Sequence, residues 1–336
     1  MANTAFDRTF NVFISQRQSS DNIKSFLYTY KNDLTADQYV KLCLFISDMK
    51  NIEDNNFNIC VSEWKLLYII NPEDDISDEM KEVIMSNICD IIYSAKKIRC
   101  KNKLMNSIFN VAWEYIHEFN IDSLLLILNT CSKFKFDEYC VSKIEYYTRL
   151  KNVIFSHIHK FNNNQIISIL ESYAKLEFDR LEIDVSEIKD YIDFYDQRYN
   201  GYDYSRLIHS VAKLNICDPS WRINIPYYVD KYINKFRSHE LSNVIWGLAK
   251  LTIDISSELK LKIKNKVGNK INEFVPKEIS DIIWSFNVLK IPINPNGDLK
   301  EIIKKNACKF NSFQLRYSRE ACIGLGMNIC DIPEFN

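Results

Sequence analysis

The strongest constraint on this chain is an internal repeat. The segment LSNVIWGLAKL, Leu241 to Leu251, returns almost unchanged as ISDIIWSFNVL, Ile279 to Leu289. Drifted copies precede them: YSRLIHSVAKL from Tyr204, IISILESYAKL from Ile166, LLLILNTCSKF from Leu124 and ICDIIYSAKKI from Ile88. The copies recur at intervals of 36 to 42 residues. A period of that length means one supersecondary unit used many times over.

The unit reads as two helices. In the copy at 276–290, Ile279, Ile282, Ile283, Phe286 and Leu289 recur at steps of three and four and so share one helix face. Pro276 suits a first helical turn, and Glu278 and Asp281 complement the positive end of the helix dipole. A small residue follows the aromatic position (Gly247, Ser285, Ser94), where it would let a neighbouring helix approach closely. After a polar break comes a second amphipathic segment: Ile225–Phe236, Leu259–Phe274 or Asp298–Phe310. Only 6 Gly and 7 Pro occur in 336 residues, too few for a turn-rich β protein. The expected fold is therefore all-α, an α-solenoid of stacked helix–turn–helix repeats of about 37–38 residues. Residues 84–336 form the array, closed by an atypical capping copy at Tyr317–Ile329. Residues 31–83 hold a degenerate repeat with an acidic loop. Residues 1–30 are a first helix or a weak presequence, with Phe6, Phe10 and Phe13 at helical spacing beside Arg8 and Arg17.

Charge is balanced, 43 basic against 44 acidic residues, but unevenly spread. Residues 1–93 carry 8 basic and 15 acidic side chains, whereas 94–160 carry 11 and 6. That asymmetry allows a polyanionic partner without requiring one. The 10 cysteines are scattered singly with no CxxC pair, several of them on apolar positions of the repeat, the pattern of small buried hydrophobes in a reducing compartment. No apolar run reaches the length of a membrane span.

Aligning the copies exposes one non-apolar column: Lys97, Lys133, Lys175, Lys213 and Lys250, broken only at Val288. Four residues earlier stand Tyr93, Asn129, Glu171, His209, Trp246 and Trp284. Three before those stand Asp90, Leu126, Ser168, Arg206, Asn243 and Asp281. These positions share a helix face and form a stripe that a solenoid would set side by side. One lysine per repeat suits phosphates, and the aromatic or polar residue one turn earlier suits a base face or edge. The same lysines also complement the negative end of each helix dipole, and the tryptophans also suit a core. No nucleotide-binding, metalloprotease or hydrolase motif occurs, and His157 and His159 alternate across helix faces. Neither catalysis, a metal, a cofactor nor a small-molecule substrate is expected.

The segment LSNVIWGLAKL, with its partner ISDIIWSFNVL, resembles the consensus of the heptatricopeptide and octotricopeptide repeats of apicomplexan and algal organellar proteins and the FASTK-type mitochondrial regulators. The resemblance covers roughly residues 84–330. It implies an α-solenoid of the mitochondrial matrix that binds single-stranded or ribosomal RNA for stability, processing or ribosome assembly, among other proteins of a ribonucleoprotein. Many such proteins carry a C-terminal RAP domain; no such module follows the last copy, so RNA cleavage is not expected. A protein–protein scaffold of a mitochondrial complex, without RNA contact, is the alternative.

Overall fold

A computed structural model describes residues 4–16, 18–30, 33–48, 60, 78–98, 109, 112–113, 115–133, 143–178, 181–192, 198–294, 297–330 and 332–335. Every regular element among them is helical. The chain forms two compact units, Met1–Lys160 and Phe161–Asn336. The fold is all-α and solenoid-like, built from helices that pack on their successors in the repeat.

The first unit holds α1 (Thr4–Ser15), α2 (Ser20–Tyr30), α3 (Ala36–Asp48), α4 (Asp78–Ile98), α5 (Ile121–Cys131) and α6 (Lys143–Ser156). Helices α3, α4 and α5 pack successively, and α6 returns against α5. The segment of Phe6, Phe10 and Phe13 is α1, and its Phe13 ring stacks on Phe26 of α2 at 4.0 Å between centroids. Of the acidic stretch Asn71 to Glu82, expected as a loop or a helix start, residues 78–82 open α4 and 71–77 lie outside the described residues.

The second unit shows the repeat in full. Helices α7 (Asn163–Lys175), α8 (Gly201–Lys213), α10 (Ser238–Lys250), α12 (Pro276–Val288) and α14 (Ser312–Gly324) form an inner row in which each packs along the next. Helices α9 (Trp221–Tyr232), α11 (Ser257–Asn269) and α13 (Asp298–Asn306) alternate with them as the second member of each pair. After α7 the described residues contain only a 3-10 turn, Ser186–Tyr191, where a second helix stands elsewhere. Helix α9 starts at Trp221, ahead of the Ile225 expected from its apolar pattern, and carries Pro226 inside it. The reason lies in the Asp218–Ser220 turn: Asp218 Oδ1 accepts from the Ser220 backbone N–H at 2.9 Å and from its hydroxyl at 2.6 Å, opening the helix early.

Each inner helix carries its own start signal. Asn162, Asn200 and Asn311 accept the N–H of the residue three on, and the side chains of Gln165, Asp203 and Gln314 accept the cap's own N–H in return. Arg237 and Val275 cannot accept by side chain, but Glu240 and Glu278 keep the reverse half at 2.9 Å. These five caps lie 36 to 38 residues apart.

The stop signal is equally regular. Glu177, Asn215, Thr252, Lys290 and Gly326 all have positive φ, from 52° to 74°. The next residue donates back five positions: Phe178 to Tyr173, Ile216 to Val211, Ile253 to Leu248, Ile291 to Phe286, Met327 to Cys322. This is the Schellman arrangement, with a buried apolar side chain after the left-handed residue. Only Gly326 adopts that conformation without a Cβ penalty.

Close approach along the inner row rests on small residues. A Cβ built on Gly247 of α10 would lie 2.6 Å from Ile208 Cγ2 and 3.2 Å from the Ile208 carbonyl oxygen of α8. Ser172 and Ser285 occupy the equivalent site and return their hydroxyls to the carbonyls of Ser168 and Asp281 in their own helices, at 2.9 and 2.6 Å. Between α8 and α9 the core is a tyrosine cluster in which Tyr204 stacks on Tyr228 at 4.3 Å and on Tyr232 at 5.3 Å.

Two stability measurements follow. Gly247→Ala forces Ile208 to move, and a urea midpoint should report destabilisation of about 1–3 kcal/mol despite the better helix propensity of alanine. Thr252→Gly relieves a β-branched residue at φ 52° and should raise stability by about 1 kcal/mol in the same assay.

Candidate functional site

Packing on both sides leaves each inner helix one open stripe. In α8 every residue from Asp203 to Ala212 is buried except Arg206 and His209, and in α10 every residue from Glu240 to Ala249 except Asn243 and Trp246. Helix α12 repeats this with Asp281 and Trp284, and α7 with Ser168 and Glu171. One turn towards the helix start, the same stripe gains Tyr202, His239, Lys277 and, on α14, Phe313. At its far end stand Lys175, Lys213, Lys250 and Val288.

Across α8, α10, α12 and α14 these stripes converge on one groove of about 560 Å³. Its wall is formed by His209 and Lys213, Trp246 and Lys250, Lys277, Asp281 and Trp284, Phe313 and Tyr317, with Glu177 at the edge. The volume falls within the range of about 300–1,000 Å³ usual for small-ligand clefts. The aromatic rings form a connected set. His209 meets Trp246 at 5.2 Å and 45°, Trp284 stacks on Tyr317 at 5.5 Å and 12°, and Phe313 meets Tyr317 at 5.2 Å. Burial raises the Tyr317 phenol above its ordinary pKa, the charge of Asp281 adds to the rise, and Trp246 opposes it.

Electrostatics divide the stripe into a braced part and a free part. Arg206 donates to Glu171 of α7 at 2.6 Å and to Ser168 at 3.3 Å. Burial works against ionisation of Glu171, but the hydrogen bond and charge of Arg206 outweigh it and hold the carboxyl below its ordinary value. His209 goes the other way: burial first, then the nearby charge of Lys277 and Lys213, lower its pKa to about 4. The imidazole is thus neutral at pH 7 and serves as a flat polar ring. Lys277 donates to Asp281 Oδ2 at 2.9 Å. Burial nonetheless raises the Asp281 carboxyl above its usual range, with Lys277 opposing the rise. Lys250 has no hydrogen bond or ion pair among the described residues and is exposed.

The sequence-derived candidates therefore separate. His209, Lys213, Trp246, Lys250 and Trp284 line one groove. Asn243 lies half-buried on the α10 stripe, and Lys175 is exposed at the end of α7, its charge felt by Glu171 and His209. Arg206 shares the face but spends its guanidinium on the α7–α8 brace rather than presenting it to solvent. Tyr93, Lys97 and Lys133 belong to the first unit. There Tyr93 is 50% exposed on α4 and Lys133 is exposed after α5, while the side chain of Lys97 lies outside the described residues. Sequence reasoning missed Lys277, Phe313, Tyr317 and Glu177 as groove residues. For Lys277 a signal existed: it stands four residues before Asp281, on the same face.

No known protein family matches the sequence, and it has no significant match among curated proteins. Among the described residues no group of three or more His, Cys, Asp or Glu side chains is arranged to hold a metal ion, and no helix is long and apolar enough to cross a membrane.

The depressed pKa values give a pH prediction. The unfolded chain protonates its histidine near 6.5, whereas folded His209 resists until about 4. Its contribution is complete above pH 6.5 and is lost as pH falls towards 4, by at most about 1.4 kcal/mol per pH unit. Glu171 acts in the same direction lower down, below the ordinary carboxylate value. Urea midpoints of His209→Gln should lose pH dependence between 4 and 6.5, while Glu171→Gln should keep it there and lose it only at lower pH.

Proposed function

We propose that this protein binds single-stranded RNA along the open stripe of its inner helices and catalyses nothing. One observation carries the reading: side chains that the repeat alignment picked out in three successive repeats, His209 and Lys213, Trp246 and Lys250, and Trp284, meet in a single groove. The groove combines the two things a single strand requires, cations for phosphates and ring faces for bases. Lys213, Lys250 and Lys277 supply the charge, against Glu177 and Asp281, and Asp281 is already neutralised by Lys277. The resemblance to heptatricopeptide and octotricopeptide proteins supports the same ligand. It also supports a setting in the mitochondrial matrix, in RNA stability, processing or the mitochondrial ribosome.

A scaffold function has one observation in its favour. Ile223 and Tyr227 of α9 are 78% and 62% exposed, outside the groove, and offer apolar surface to a protein neighbour. The two surfaces are separate, so a ribonucleoprotein subunit would use both.

Fluorescence anisotropy with a labelled single-stranded RNA of about 8 nucleotides tests the proposal. Two lysine contacts, Lys213 and Lys250, at about 0.7 each predict a slope near −1.4 for log K against log salt, since Lys277 is held by Asp281. The Lys213→Ala, Lys250→Ala double variant should flatten that slope by about 1.4. Absence of binding at low salt, with the fold intact by circular dichroism, overturns the RNA reading in favour of the scaffold.

A further inference from the structure

We propose that the groove selects guanine, through the Asp281–Lys277 pair on α12. The inference rests on the RNA reading above and assigns the chemistry of one subsite within it. Asp281 lines the groove together with Trp246, Trp284 and Tyr317. Its side chain is 16% exposed, yet Lys277 is its only side-chain partner among the described residues, on Oδ2 alone. A carboxylate has about four lone-pair sites. Oδ1 and the rest of Oδ2 make no hydrogen bond among the described residues, on a side chain that lines the groove.

The base that satisfies this pair can be read from hydrogen-bonding patterns. Along the wall the pair offers acceptor, acceptor, donor: Oδ1, Oδ2 and the Lys277 ammonium. Guanine presents the complement on its Watson–Crick edge, with the 2-amino group and N1–H as adjacent donors and O6 as the acceptor beside them. Uracil matches only two positions, N3–H and O4, and turns O2 against a carboxylate oxygen. Adenine and cytosine place a ring nitrogen acceptor where the carboxylate also accepts. Bases in single strands are recognised in this way, stacked on aromatic side chains and bonded on their edges. The ring faces are supplied by Trp246 and Trp284, and the phosphates on either side by Lys213 and Lys250. A small cationic ligand, the other common guest of an aromatic wall with a carboxylate, would meet three ammonium groups in the same groove.

The test uses the full chain and four labelled oligonucleotides: oligouridylate, and the same strand with one central guanosine, adenosine or inosine. The guanosine strand should bind about tenfold more tightly than the adenosine and uridine strands, as expected for a good bidentate contact. Inosine, which lacks the 2-amino group, should fall between. Asp281→Asn should abolish the guanosine advantage, read as the ratio of guanosine-strand to oligouridylate affinity within the variant itself. Equal affinity for all four strands overturns the guanine assignment and leaves RNA binding standing. Binding of none of them overturns both. A guanosine advantage that persists in Asp281→Asn removes Asp281 as the reader. The four-strand comparison on the unaltered protein stands even if the variant does not fold.

Discussion

The side-by-side contact of successive inner helices is the constraint on which the rest depends. Helices laid this close cannot carry large side chains where they touch, hence serine or glycine at 172, 210, 247 and 285 and the tight fit of Gly247 on Ile208. Neighbours on two sides and a second layer beneath leave about one residue in four or five of the central turns short of full burial. The open positions fall at steps of four, three and four, so chemistry that faces solvent must be written on that step. The groove is thus a product of packing: it forms where four stripes are brought into register by the same backbone spacing.

Within the groove, charge is arranged by what burial permits. Arg206 lies deep enough that it needs a partner, and Glu171 of the preceding helix supplies one, so this guanidinium joins two repeats. Lys250, farther out, stays hydrated. His209, beside Lys277 and Lys213, avoids a third positive charge by remaining neutral. Asp281 keeps its charge at the cost of drawing in Lys277 from one turn away. The net effect is a wall of rings that carries Lys213, Lys250 and Lys277 against Glu177 and Asp281.

Much of this was legible in the sequence, because the apolar positions of Ile279, Ile282, Ile283 and Phe286 and their counterparts repeat with a helical step. The period gave the row of helices, and the non-apolar column gave five of the groove residues directly. Lys277 and Phe313 were missed because the repeated segment was taken to start at its first apolar residue, one turn inside the true helix. Tyr317 was placed in the last copy but in a shifted register, since Asn311 caps 36 residues after Val275 where the preceding caps lie 37 or 38 apart. The commitment of Arg206 to Glu171 spans 35 residues and depends on helix spacing that no single-chain pattern encodes. The start of α9 was misplaced because an internal proline hid a helix already opened by Asp218.

Each inner helix is bracketed by its own hydrogen-bonded opening and by a left-handed closing residue. Its ends are therefore defined locally, whatever the connecting segment does. Among the described residues, the stretch between one closing residue and the next opening holds only a 3-10 turn after α7 and a full helix between α10 and α12, while the row keeps its spacing. The back of such a chain can change its secondary structure from repeat to repeat while its open stripe keeps a constant pitch.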